Sequence, residues 1–277
     1  MSGPAQTAIE RLRARQKSVG TPLCAGIDPH PDTFPEGIAP NADGLERYAM
    51  GLVEAVAPHV AAIKFNVAFF EAFGSPGWAV LERVRAAVPA DIFTILDAKR
   101  GDIATTAERY AEAIAGRLTA DAVTLSPYLG EDAIEPFLRR GDVYVYVLAR
   151  TSNPDAATFQ NRLIEGRPLY EHVAEWVASR WSGDRVGLVV GATAPHELRR
   201  IRALAPDLGF LVPGIGPQGG DVETALETCN GGAAPGVINV SRGIIAASTG
   251  ADWQRAAASA AESWRRRMQG AGATLRA

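Results

Sequence analysis

The chain has 277 residues, of which 47% are hydrophobic and 21% charged, a composition typical of a globular protein with a large core. Its net charge is −3 and its isoelectric point about 5.9, which argues against a nucleic-acid-binding surface, since such surfaces are usually basic. No apolar run reaches the ~18 residues of a membrane span, and the segment 5–17 is charged and lacks an apolar signal core. We therefore expect a cytoplasmic protein that binds neither nucleic acid nor membrane.

Strand-like and helix-like segments alternate along the chain after a first helix predicted at about 4–17. The predicted strands span residues 22–28, 60–66, 92–99, 122–125, 143–148, 186–190, 210–212 and 236–240. The helices that follow them are predicted at 43–57, 76–88, 103–117, 131–139, 168–181, 195–204, 221–228 and 251–268. The connection 150–167 is predicted to be a long loop.

Eight strand–helix units predict an α/β fold, a single (β/α)8 TIM barrel over residues 1–277 with an extra N-terminal helix. The strands are nearly continuous apolar runs, as expected for parallel strands that are buried on both faces. A doubly wound open sheet is the alternative, but it would need fewer strands or a linker-like break, and the sequence has no such break. The connection 150–167 would then lie on the face where barrel enzymes carry their functional loops.

The end of the third predicted strand carries a dense group of charges, because residues 97–102 read DAKRGD. Residues two apart in a strand share a face, so Asp97 and Lys99 are expected to project together, with Asp102 in the turn beyond. Buried charges are costly unless they are paired, which indicates an organised charge array. A structural salt bridge at a strand end explains the same three residues equally well.

In a barrel, active sites lie at the C-terminal ends of the strands. The polar residues expected there are Asp28, Lys64, Asn66, Asp97, Lys99, Ser126, Gln218 and Arg242. Lys64 lies in a central strand of a closed barrel, where a purely structural lysine is unusual. Asp28 and Ser126 each precede a proline and also fit ordinary turn residues.

Two segments near the C-terminus predict a phosphate site. Residues 213–220 (PGIGPQGG) form a glycine-rich loop before a helix, and residues 239–243 (NVSRG) lead from the eighth strand into another helix. Backbone N–H groups at such positions bind anions, and barrels often hold phosphate between the loops after strands seven and eight. Arg242 adds a forked donor that matches phosphate oxygens, so we expect a phosphorylated ligand.

The segment 95–106, ILDAKRGDIATT, resembles the signature of the orotidine 5′-phosphate decarboxylase family. The resemblance covers almost the whole chain, because the strand-end charges, the GPQGG loop and Arg242 follow the family's order. The stretch TSNP at 151–154 resembles the longer bacterial branch, type 2. The stretch SRG at 241–243 departs from the Gly-Arg pairing of other branches.

The resemblance implies decarboxylation of orotidine 5′-monophosphate (OMP) to uridine 5′-monophosphate (UMP) in pyrimidine synthesis, with no cofactor and no metal. Lys99 would donate a proton to C6 of the pyrimidine, and Lys64 and Asp102 would complete an alternating charge network. Asp97 would either disfavour the substrate carboxylate or hold Lys99 in place.

The resemblance also implies ligand contacts and a partner. Asp28, Lys64 and Asn66 would lie near the ribose, Ser126 near the pyrimidine, and Gln218 and Arg242 near the phosphate, with loop 214–220 closing over the ligand. A homodimer is implied in which Asp102, Ile103 and Thr106 reach into the partner's site.

Three other functions stay open. A metal-dependent relative acting on a sugar phosphate would share the Asp-x-Lys-x-x-Asp motif, but it needs an acidic residue where this chain has Lys64. A Schiff-base aldolase would use Lys99 or Lys64 as its nucleophile. A non-catalytic phosphate-binding barrel would explain the glycine loop but not four convergent charges. Cys24, Cys229 and the four histidines show no metal-ligand spacing.

Overall fold

The computed structural model describes residues 6–216 and 219–274. Eight parallel strands form a closed barrel, in which each strand pairs with its sequence neighbours and the eighth pairs with the first. The strands are β1 (Leu23–Ile27), β2 (Ala62–Asn66), β3 (Phe93–Arg100), β4 (Ala122–Leu125), β5 (Tyr144–Arg150), β6 (Val186–Val190), β7 (Gly209–Val212) and β8 (Val237–Val240). The predicted barrel is confirmed.

Helices follow the strands in chain order. They are α1 (Ala8–Val19), α2 (Ala42–Val56), α3 (Val67–Glu71), α4 (Gly74–Ala86), α5 (Ala104–Ala111), α6 (Glu135–Leu138), α7 (Ala156–Gln160), α8 (Leu169–Arg180), α9 (Pro195–Leu204), α10 (Val222–Asn230), α11 (Arg242–Ile245) and α12 (Trp253–Thr274). Short 3-10 turns span Pro31–Thr33, Ala57–His59 and Glu131–Ala133, and a π-helical segment, Glu112–Arg117, continues α5. Within the described ranges, no helix has both the length and the apolar character that crossing a membrane requires.

The N-terminal helix α1 covers one end of the barrel. Thr7 and Glu10 form a capping box, in which each side chain accepts a hydrogen bond from the other residue's backbone N–H. Ala8, Ile9 and Leu12 are buried in one cluster with inward-facing residues of the strands. The predicted extra helix is therefore confirmed, and its apolar face forms the floor of the barrel.

The alternation of side chains along each strand separates two cores. In β2, Ile63 and Phe65 belong to the larger core between the strands and the helices. Lys64 lies between them and therefore points to the inside of the barrel, where it is almost completely buried. The same alternation directs Asp97 of β3 to the inside, so the barrel geometry brings both charges to its C-terminal end.

The connection after β5 is more ordered than the sequence predicted. It contains α7 and a two-stranded antiparallel hairpin, Leu163–Ile164 with Arg167–Pro168. Each of these elements is too short to leave a clear periodicity in the sequence. The helix predicted at 131–139 is divided into a 3-10 turn and α6, which has Pro136 in its first turn.

Candidate active site

A cavity of about 760 Å³ opens at the C-terminal ends of the strands. The predicted site residues that line it are Asp28, Lys64, Asn66, Asp97, Lys99 and Arg242. They come from β1, β2, β3 and β8 or from the residues that directly follow these strands. Closing the barrel therefore brings together groups that are far apart in the sequence.

Four of these residues form a chain of alternating charge. Lys64 Nζ lies 3.5 Å from Asp28 Oδ1 and 3.0 Å from Asp97 Oδ2. Lys99 Nζ donates a hydrogen bond to Asp97 Oδ1 at 2.6 Å. The side chain of Lys64 is 5% exposed, whereas that of Lys99 is 49% exposed. Lys64, the buried end of the network, is thus paired with two carboxylates, whereas Lys99 at the other end is accessible to a ligand.

The network keeps both kinds of group ionised. Burial opposes the charge on Lys64, but the carboxylates of Asp28 and Asp97 outweigh it and raise the pKa of Lys64 above its ordinary value. Burial likewise disfavours the Asp97 carboxylate, but the Lys64 and Lys99 ammonium groups outweigh it and hold the pKa of Asp97 well below its usual range. Lys64 and Asp97 therefore form a fixed pair of opposite charges near neutral pH.

Lys99 has an unusual backbone conformation. Its φ of 45° lies in the left-handed region, which non-glycine residues seldom adopt. The register between β3 and β4 shifts between Leu96 and Arg100, as in a β-bulge. Thr124 stabilises this irregularity, because its Oγ1 accepts the backbone N–H of Lys99 at 3.0 Å and donates to Asp97 Oδ1 at 2.9 Å. Strained backbone of this kind is concentrated at functional sites.

The predicted phosphate segments follow β7 and β8, and β8 pairs with β1, which leads into Asp28. Gly214 lines it and has a φ of 100°, a conformation that favours glycine. Arg242, the first residue of α11, lines it as well. Gln218 lies outside the described residues. The loop after β7 and the start of α11 thus border the same cavity as the charge network.

Four predicted site residues do not line this cavity. Asp102 follows β3, and its Oδ1 accepts the backbone N–H of Ile103 at 2.8 Å. Ile103 is 55% exposed, and Thr106 of α5 is exposed as well. Ser126 follows β4, and its backbone N–H donates to Arg100 O at 2.8 Å. Among residues 6–216 and 219–274 of one copy, no hydrogen bond or ion pair joins these four side chains to the charge network.

The cavity also contains residues that the sequence analysis did not select. Thr124 is two residues before Ser126, so the period of two along β4 could have indicated it. Thr151, Ser152 and Asn153 form the wall after β5. Asn239 is only 5% exposed, and its Oδ1 has no hydrogen-bond partner among residues 6–216 and 219–274. A buried polar group of this kind is typical of a binding surface.

Gly26 makes room for one of these groups. A Cβ atom at Gly26 would lie 1.8 Å from Ser241 Oγ and 3.0 Å from Asn239 Oδ1. Any side chain at this position would therefore displace the Ser241 hydroxyl, which lines the cavity beside Arg242. The sequence shows only a glycine within an apolar strand and does not indicate this contact.

The sequence profile of the "Orotidine 5′-phosphate decarboxylase / HUMPS family" matches residues 21–258. A Herpetosiphon aurantiacus protein named orotidine 5′-phosphate decarboxylase is 43% identical over 258 residues, which are 92% of this chain and 96% of that protein. A Roseiflexus castenholzii protein of the same name is 47% identical over 246 residues, 88% of this chain and 90% of that protein.

Solved structures agree with the sequence relatives. The structure of Leishmania donovani OMP decarboxylase matches with a TM-score of 0.81 and 40% identity over 96% of this chain and 99% of that chain. The structure of Leishmania donovani UMP synthase matches with a TM-score of 0.82 and 41% identity over 96% of this chain. This chain spans 57% of the length of that UMP synthase.

Proposed function

Because the chain belongs to the orotidine 5′-phosphate decarboxylase / HUMPS family, we propose that it decarboxylates OMP to UMP, a reaction of pyrimidine biosynthesis. The observation that carries this proposal is the alternating network of Asp28, Lys64, Asp97 and Lys99 in a cavity that Arg242 also lines. Loss of carbon dioxide from C6 of the pyrimidine leaves a carbanion that no neighbouring carbonyl can stabilise. Fixed charges that are already in place before the reaction are suited to stabilising such an intermediate.

In the proposed reaction, the bond between C6 and the carboxylate carbon breaks, carbon dioxide leaves, and the electron pair stays on C6. The Lys99 ammonium group offsets this charge and then donates a proton from Nζ to C6, which yields UMP. A proton from solvent restores the ammonium group. Its 49% exposure on the cavity side supports this role, because a proton donor must reach both substrate and solvent.

Asp97 and Lys64 support the proton donor in this mechanism. The 2.6 Å bond between Asp97 and Lys99, and the bond from Thr124 to the same carboxylate oxygen, support a role of Asp97 in positioning Lys99. Lys64 offsets the charge of Asp97 from the buried side. Because Lys64 and Lys99 lower the pKa of Asp97, this carboxylate can orient the Lys99 ammonium group without accepting its proton.

The phosphate group of the substrate would bind to Arg242 and to the loop after β7. Arginine matches phosphate oxygens with two parallel donors, and glycines such as Gly214 allow the backbone to approach closely. The sequence also predicts that Gln218 contributes here. Binding energy from this remote group can lower the barrier at C6, and the family resemblance implies that loop 214–220, of which residues 217 and 218 lie outside the described ranges, closes over the substrate.

We assign the pyrimidine wall to the residues after β5. Ser152 lines the cavity, whereas Ser126, the residue selected from the sequence, does not. Ser152 also packs against Gly191, where a Cβ atom would lie 2.9 Å from Ser152 Cβ. A hydroxyl group held in this way can pair with the polar edge of a pyrimidine. Asp28 and Asn66 would face the ribose from the opposite wall.

We further propose that the chain works as a homodimer in which Asp102, Ile103 and Thr106 complete the partner's site. Three observations support this assignment: the three residues do not line their own cavity, Ile103 is an exposed apolar side chain, and all three lie at the barrel end that carries the site. Burial of the exposed Ile103 side chain against a second copy would stabilise the dimer.

Mixing two inactive variants tests this shared site. In a heterodimer of Lys99→Ala and Asp102→Asn chains, one of the two sites would carry both substitutions and the other would carry neither. Activity should therefore return on mixing, to roughly a quarter of the wild-type level for random exchange of subunits. If each chain supplied its own Asp102, mixing would restore no activity.

The activity itself is tested by following the loss of orotidylate absorbance with the purified protein, with and without EDTA. We expect turnover that EDTA does not change. A metal ion beside Lys64 and Lys99 would meet two ammonium groups, so the charges of this site do not suit the metal-dependent alternative. Activity that is lost with EDTA and restored by magnesium would contradict the proposed mechanism.

A further inference from the structure

Thr151, Ser152 and Asn153 line the cavity but belong to no strand or helix. Side-chain contacts therefore contribute to their positions. The side chain that holds Thr151 is that of Gln160, the last residue of α7, which does not itself line the cavity. Gln160 thus links α7, in the long connection after β5, to the cavity wall by hydrogen bonds.

The Gln160 side chain contacts Thr151 at two points. Its Oε1 accepts the backbone N–H of Thr151 at 2.9 Å, and its Nε2 donates to Thr151 Oγ1 at 2.8 Å. A backbone N–H can only donate, so the amide oxygen must face it, and the orientation of the amide follows. The Thr151 hydroxyl in turn donates to Asn153 Oδ1 at 2.6 Å. Both polar groups of Thr151 that face Gln160, its N–H and its hydroxyl, therefore have complementary partners.

Two neighbouring contacts limit the movement of this wall. Arg150 Nη1 donates to Thr151 O at 2.7 Å and lies 3.5 Å from Gln160 Oε1. On the other side, Ser152 packs closely on Gly191, which follows β6. Thr151 is therefore held by α7, and Ser152 by the neighbouring strand end.

We propose that Gln160 is a positioning residue that acts through Thr151 to hold the wall 151–153 in the geometry that recognises the pyrimidine base. This inference rests on the proposed function, because it takes the ligand to be a pyrimidine nucleotide. The edge of the base presents amide-like donors and acceptors, which hydroxyl and amide side chains of the wall complement. The phosphate segments follow β7 and β8, so Gln160 contributes to binding of the base and not of the phosphate.

The test compares two ligands on one variant. Gln160→Ala should weaken binding of UMP about tenfold, because two hydrogen bonds that organise the wall are lost. Binding of ribose 5-phosphate, which lacks the base, should not change. Both affinities are measured by isothermal titration calorimetry, with circular dichroism to check the fold. An equal loss for both ligands, or no loss for either, would overturn the proposal.

Further variants separate positioning from a general structural effect. Gln160→Glu keeps an acceptor for the Thr151 N–H but loses the donor to its hydroxyl, so its UMP affinity should lie between those of wild type and Gln160→Ala. The loss of UMP affinity in the double variant Thr151→Val, Gln160→Ala should be smaller than the sum of the losses in the two single variants. Both substitutions remove the same hydrogen bond, from Gln160 Nε2 to Thr151 Oγ1. Additive losses would contradict the proposed route through Thr151.

Gln254→Ala is the matched control, because Gln254 donates to Glu54 on the outer surface. It should leave both affinities unchanged. The proposed function fails separately: it fails if the wild-type protein neither binds UMP nor consumes OMP. If wild type does both and Gln160→Ala behaves like wild type, only the role of Gln160 is wrong.

Discussion

The two ends of the barrel contain similar carboxylate clusters with different roles. At the floor, Asp121 accepts hydrogen bonds from the Thr94 backbone N–H at 2.8 Å and from the Thr94 hydroxyl at 2.7 Å, and it pairs with Arg11 of α1. At the mouth, Asp97 also accepts a hydroxyl hydrogen bond, but its charged partners are two lysines. The side chains of Asp121 and Asp97 are 11% and 12% exposed. Burial therefore does not distinguish the two clusters.

The partners of each carboxylate make the difference. The guanidinium group of Arg11 does not give up a proton at any ordinary pH, and the apolar face of α1 closes that end of the barrel. Lys99 carries an ammonium group that can transfer a proton, and a cavity lies beside it. The floor cluster thus serves as a fixed connection between α1 and the strands, whereas the mouth cluster can react.

The largest expected effect is on Lys99. Lys99→Ala should reduce kcat by at least about 10³-fold, because it removes both the proton donor and the charge that faces the carbanion. The free energy of unfolding should change little, since the Lys99 side chain is half exposed. Steady-state kinetics with OMP and urea unfolding measure the two effects. Retained turnover in the purified variant would refute the proton-donor role.

Arg242 tests the proposed phosphate site at the mouth. Arg242→Ala should weaken binding of UMP by roughly 10- to 100-fold, because charge-assisted hydrogen bonds to the phosphate are lost. Binding of uridine, which has no phosphate, should be the same in wild type and variant. Unchanged affinity for UMP would show that Arg242 does not bind the phosphate.

Asp121 tests the floor. Asp121→Asn should lower the free energy of unfolding by about 1–3 kcal/mol, because the amide has no charge and only one acceptor oxygen, so it cannot serve both Arg11 and the two Thr94 donors. The kcat/KM for OMP should stay at the wild-type value, since the floor lies at the opposite end of the barrel. A comparison of urea unfolding with steady-state kinetics checks both parts. A large loss of kcat/KM in a folded variant would contradict the separation of the two ends.

The smallest expected effect is the pH dependence of stability from the mouth network. The lowered pKa of Asp97 means that its contribution is present above its ordinary value and is lost as pH falls towards its folded value. The raised pKa of Lys64 means that its contribution is present below its ordinary value and is lost as pH rises towards its folded value. The network should therefore stabilise the fold between about pH 4 and pH 10.

Asp97→Asn isolates the acidic side of this window. Its free energy of unfolding should fall less steeply than that of wild type as pH is lowered below about 4. Urea unfolding at a series of pH values measures the slopes. Equal slopes for both proteins would mean that Asp97 does not titrate as the structure implies.

Much of the site was predictable because strand geometry is periodic. Lys64 lies between two apolar residues in a strand, so a two-residue period already directs it inward. The same logic places Asp28, Asp97 and Arg242 at the ends of separate strands, which the closed barrel brings to one cavity. The same rule indicates Thr124 of β4, which lines the cavity and lies two residues before Ser126.

Other features could not be read from the local sequence. The left-handed conformation of Lys99 depends on a register shift between β3 and β4 and on the hydrogen bond that its backbone N–H donates to Thr124 Oγ1, 25 residues away. The contact between Gly26 and Ser241 joins the first and last strands. Gln160 reaches Thr151 because the short helix α7, which has no clear pattern in the sequence, brings the chain back to the end of β5.

The sequence by itself determined the alternation of strands and helices, and therefore the barrel and the end at which its charges gather. It did so because burial of apolar residues at regular spacing governs that level of structure. Only the tertiary structure decided which side chains touch, such as Ser152 rather than Ser126 at the cavity wall. Those contacts depend on strand stagger and loop packing, which hydrogen bonds between distant residues set and a local pattern does not encode.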